Sequence, residues 1–114
     1  MNDKKLYNTI YNFLSQELML QTQYRGFAQL VDVVEVIYKE PSISINKAYE
    51  VVAKKYKVCF SGVGNNISKV INIANATMEP KLKKKYFGSA KYTGGYIMPV
   101  AFMNAVVMHI RCKM

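Results

Sequence analysis

Apolar residues recur along this chain at helical intervals, and no stretch alternates with the two-residue period of a half-buried strand. Tyr7, Ile10, Tyr11, Leu14 and Leu18 follow the i, i+3, i+4, i+7 spacing that places side chains on one helix face. Phe27, Leu30, Val31, Val34, Ile37 and Tyr38 do the same, and Pro41, which cannot continue a helix, closes that second stripe. After "SIS", a third stripe runs through Ile45, Ala48, Tyr49, Val52, Ala53 and Tyr56, with Ser44 placed to cap it. Val63, Ile67, Val70, Ile71 and Ala74 draw a fourth. "EPKLKKKYFG" predicts a short basic helix, with Pro80 in its first position and Gly88 at its end. "SAKYTGGY" reads as a loop, and Pro99 opens a last helix whose inner face is Phe102, Met103, Val106, Val107 and Ile110. The expected fold class is all-α, with about six helices in one domain over residues 1–114.

Only "KVCF" separates the third and fourth stripes, which is the spacing of a helix-turn-helix, here over about residues 45–75. Val52, Ala53, Tyr56, Val58, Val63 and Ile67 are its expected inner set. The opposite side of the fourth helix gathers Ser61, Asn65, Ser68, Lys69 and Asn72 by i+3 and i+4 steps. Asparagine can pair bidentately with adenine in the major groove, serine can serve any base, and lysine can reach guanine or phosphate. The same residues would also suit an ordinary solvated helix face. Gly62 and Gly64 each cost a helix interior up to ~1 kcal/mol relative to alanine, so the first turn is expected to fray and Ser61 to act as a late N-cap.

Charge decides between those two uses of the face. The net charge is +9, yet residues 1–50 hold five Lys/Arg against six Asp/Glu, and residues 51–114 hold eleven against Glu79 alone. A basic half of this kind suits a polyanion. Lys54, Lys55 and Lys57 precede the fourth helix, and Lys81, Lys83, Lys84 and Lys85 follow it; these are the candidates for binding phosphate. Two cysteines, Cys59 and Cys112, are too few for a disulfide scaffold. The longest nearly apolar stretch, Tyr96 to Ile110, contains Pro99 and Asn104 and falls short of the roughly 18 residues of a membrane span. A cytoplasmic, nucleoid-associated protein with no membrane partner is expected. Enzymatic chemistry is not: His109 is the single histidine, read as a surface or interface residue, and no Cys/His spacing suggests a metal or other cofactor. "GVGNN" lacks the third glycine and preceding strand of a dinucleotide loop.

Aligned without gaps, "VVAKKYKVCFSGVGNNISKVINIANATMEPKLKKKYFG" resembles the C-terminal effector domain of the master response regulators of endospore formation. "YRGFAQLVDVVEVIY" and "PVAFMNAVVMHIR" are similar to that family's second and closing helices, so the likeness spans residues 10 to 112 and falls mostly on core positions. It implies a bacterial sporulation-type transcription regulator that binds double-stranded DNA and pairs on it as a homodimer through its C-terminal helices. It also implies a response regulator or RNA polymerase as protein partners. The family joins this domain to a phosphoacceptor receiver, and a receiver-less form is expected here. The departures fall where bases are read. The family's threonine pair corresponds to Val58 and Cys59, its recognition-helix arginine and glutamate to Gly62 and Gly64, its next arginine to Asn65, and its later arginine and histidine to Ser68 and Lys69. The alternative reading is a protein-interaction module that pairs with, or antagonises, a full-length response regulator.

Overall fold

The computed structural model describes residues 3–88 and 96–113. Six α-helices follow one another: α1 (Asp3–Asn12), α2 (Arg25–Lys39), α3 (Ile45–Tyr56), α4 (Phe60–Thr77), α5 (Pro80–Phe87) and α6 (Pro99–Lys113). No strand occurs among the described residues, so the chain is all-α as its periodicity requires. The expected loop at 89–96 lies outside the described residues except for Tyr96.

Local chemistry sets several boundaries. Ser44 caps α3, its Oγ accepting the Lys47 amide at 3.1 Å. Pro80 occupies the first turn of α5, where its missing N–H costs nothing. The end of α1 departs from simple periodicity, since Phe13–Glu17 forms a π-helical turn. The Leu18 amide reaches back to the Phe13 carbonyl at 3.1 Å and that of Leu20 to Leu14 at 2.9 Å. The extra residue rephases the chain, so Phe13, Leu14, Leu18 and Leu20 are all buried, while Met19 turns outward at φ 60°.

The core is centred on α2 and α4, which pack more extensively on each other than on any other helix. Gly26 makes that crossing possible, because a Cβ there would lie 2.1 Å from the Asn66 carbonyl oxygen. Val63, Ile67, Val70, Ile71 and Ala74 of α4 are all buried, as their stripe predicts. So are Phe102, Met103, Val106, Val107 and Ile110 of α6. Apolar side chains that α6 does expose, Val100 and Met108, lie off that face. Arg111 ties α6 to α2: its guanidinium donates to the Tyr38 carbonyl at 2.5 Å and stacks 4.5 Å from the Tyr38 ring.

Two expectations are corrected at the α3–α4 corner. Gly62 and Gly64 do not fray the helix: α4 starts at Phe60, with Cys59 rather than Ser61 preceding it, and the Gly62 and Val63 amides both bond the Cys59 carbonyl. Burial of Val63 and Ile67 on the same turns holds the glycines in helix. Val58 is not an inner residue but 39% exposed. The cause is the way α3 stops. Lys57 adopts the left-handed conformation (φ 56°, ψ 45°), and the Val58 amide returns to the Ala53 carbonyl at 3.0 Å while that of Lys57 reaches Lys54, a Schellman motif that turns the next side chain outward.

Candidate nucleic-acid interface

On α4 the polar residues share the outward side. Ser61, Asn65, Lys69 and Asn72 are exposed and Ser68 is half-buried. No Asp or Glu occurs between Glu50 and Glu79, so the face has no carboxylate of its own helix beside it. Two of these side chains have neighbours. The Lys69 ammonium lies 5.8 Å from the centre of the Tyr24 ring, and the Asn72 Oδ1 accepts the Tyr96 hydroxyl. Asn75, one turn on, holds Ile97 through both its backbone groups, at 2.7 and 3.0 Å, and fixes that segment against α4. Asn66 faces α2 instead, donating to Gln29 Oε1 at 3.1 Å.

The cationic candidates divide. Lys54 and Lys57 are exposed at the start of α4, and Lys81, Lys84 and Lys85 are exposed on α5 beyond its end; Lys83 is half-buried. Lys85 sits 5.1 Å from the Tyr86 ring. Lys55 is committed elsewhere, because its Nζ lies 2.8 Å from Asp32 Oδ1. Asp32 is 3% exposed in α2 and takes a second bond, 2.5 Å long, from the Tyr56 hydroxyl. A buried carboxylate needs such partners. The hydrogen bond to Asp32 raises the Lys55 pKa, and burial followed by the Asp32 bond raises that of Tyr56. Periodicity gives no warning of this anchor, although an aspartate inside the apolar run "LVDVVEVIY" is an anomaly that could prompt the question.

Two further side chains take places that spacing alone does not show. Phe60 is 42% exposed in the first turn of α4 and rests against Tyr49, ring centres 6.1 Å apart. His109, expected at a surface, is half-buried, stacked 5.6 Å from Phe13 and edge-on to Tyr86, whose hydroxyl donates to Glu17 at 2.8 Å. It packs as an aromatic ring. Among the described residues no three His, Cys, Asp or Glu side chains gather to hold a metal ion, and no helix is long and apolar enough to cross a membrane. No family model, curated protein or solved structure matches this chain.

Proposed function

We infer that the chain is a DNA-binding transcription regulator in which α3 and α4 act as a helix-turn-helix and α4 enters the major groove. One observation carries this reading: an exposed Ser61, Asn65, Lys69 and Asn72 face with no carboxylate from 51 to 78, bounded by Lys54 and Lys57 at one end and Lys81, Lys84 and Lys85 past the other. In this arrangement the lysines neutralise phosphates and set affinity, and the α4 side chains meet base edges. Asn65 is exposed on that face, where its amide is available to adenine. Lys69 supplies a point charge where a forked guanidinium would fix a guanine, which favours A·T-tolerant reading.

Two substitutions separate base reading from charge. Asn65→Ala should cost ~1–3 kcal/mol on a preferred duplex and little on a scrambled one. Replacing Lys81 and Lys84 by alanine should weaken both duplexes alike and flatten the log–log salt dependence by about 0.9 for each phosphate no longer neutralised. Titration of both duplexes at several salt concentrations checks this; an unchanged affinity ratio for Asn65→Ala rules out base reading by that residue. The interaction-module reading is favoured by the absence of arginine from α4. It takes the lead if neither change alters DNA binding.

A further inference from the structure

Val58, Cys59 and Phe60 form an exposed run of three residues without a polar side chain, at the corner where α3 passes to α4. Such runs are avoided on a protein surface unless they are used. The corner is also tied to the rest of the fold. Val58 is fixed by the Schellman motif, and the Phe60 ring is held against Tyr49, whose ring would touch a Cβ at Gly64 at 3.4 Å. The exposed side chains nearest to it in sequence are cationic or hydroxylic: Lys54 and Lys57 before it, Ser61 after it. A protein partner for an apolar corner with this rim would have to supply several carboxylates around an apolar centre. A DNA major groove supplies both the anionic rim and one kind of apolar group, the thymine C5-methyl.

We propose that Phe60 and Val58 are specificity-determining residues that recognise thymine methyl groups in the major groove. This rests on the reading of α4 as the DNA-entering helix, whose N-terminal residues are the ones that reach base edges. It also gives the A·T tolerance a second source, since an A·T pair offers an adenine amide-binding edge to Asn65 and a methyl to the corner.

The test uses the intact protein and deoxyuridine, which keeps thymine's hydrogen-bonding edge and lacks only the methyl. A duplex chosen by selection from random DNA is titrated with each thymine in turn replaced by deoxyuridine. The wild-type protein should lose about fourfold in affinity for each methyl that the corner touches. At the position that Phe60 touches, Phe60→Ala should bind the thymine duplex at the deoxyuridine level and no longer distinguish the two, and Lys57→Ala should weaken both equally. The wild-type comparison needs no variant, so a misfolded Phe60→Ala would not spoil it. Equal wild-type binding to thymine and deoxyuridine at every position overturns the inference. If Asn65→Ala still loses its preference in that case, the DNA-reading function stands without it. If Asn65→Ala and the replacement of Lys81 and Lys84 also change nothing, both fall.

Discussion

Gly26 and Gly62 both lie within helices, and the space around them makes their expected substitutions opposite in sign. A Cβ at Gly26 would collide with the Asn66 carbonyl at the α2–α4 crossing, and backbone cannot step aside as a side chain can. A Cβ at Gly62 would meet nothing within 4 Å. Gly26→Ala is therefore expected to destabilise by ~1–3 kcal/mol or more, through separation of the two central helices. Gly62→Ala should stabilise by up to ~1 kcal/mol, because it removes only the entropy cost of glycine in a helix. Urea denaturation of the two variants checks both signs, and a loss on Gly62→Ala would show that this backbone position is used for more than helix. Sequence alone marks Gly62 as an anomaly and gives no sign that Gly26 is the glycine the fold depends on. The distinction depends on Asn66, forty residues from Gly26, and no local pattern contains it. Asp32 is hidden for the same reason: its partners Lys55 and Tyr56 are brought by another helix.

At the scale of elements the apolar stripes are legible, and they place the buried faces of α2, α3, α4 and α6. Each stripe follows from burying one helix face, which is a local property of spacing. What the stripes do not reveal is where the period is interrupted. The π-helical turn at Phe13–Glu17 and the left-handed Lys57 each change the direction of the following side chains by one step, so that Leu20 turns in and Val58 turns out. Lys57 also carries a measurable consequence. A left-handed backbone costs a non-glycine residue roughly 1–2 kcal/mol, and glycine is the usual occupant of this place in a Schellman motif. Lys57→Gly should accordingly raise stability by about 1 kcal/mol. If its ammonium neutralises a phosphate, the same change lowers DNA affinity and reduces the salt slope by about 0.9. Thermal unfolding and salt titration of one variant thus separate the two roles, and a stability gain with no change in DNA binding would remove Lys57 from the interface.

Over the whole molecule, charge is divided as the sequence suggests, and the structure adds how each part is used. The ion pairs Asp3–Lys39, Lys47–Glu50 and Asp32–Lys55 all draw on residues up to 55, whereas the α4 and α5 lysines have only Glu79 as a carboxylate of their own segment. The titratable groups of α1, α2 and α3 govern how stability responds to pH. Burial raises the phenol pKa of Tyr7, Tyr49 and Tyr56, with Asp32 adding to the first and last, and hydrogen bonds to Asp3 and Asp32 raise those of Lys39 and Lys55. A raised folded-state value means that the folded protein holds its proton more tightly than the unfolded chain. The resulting stability is complete below the ordinary values, 10.0 for a phenol and 10.5 for a lysine, and is lost as pH rises through the folded ones. Glu35 follows the same sign lower on the scale: burial lifts its carboxyl, so its charge opposes folding at neutral pH. The urea midpoint should therefore hold level from about pH 7 to about pH 9 and fall steeply above about pH 10. Asp32→Asn tests the cause. It should lower stability at neutral pH by ~1–3 kcal/mol, since the Lys55 and Tyr56 bonds lose a charged acceptor, and it should shrink the alkaline fall because those two groups no longer prefer their protonated forms as strongly. An alkaline fall of full size in Asp32→Asn would place its origin in the burial of the three phenols and in Lys39, which does not draw on Asp32 for its shift.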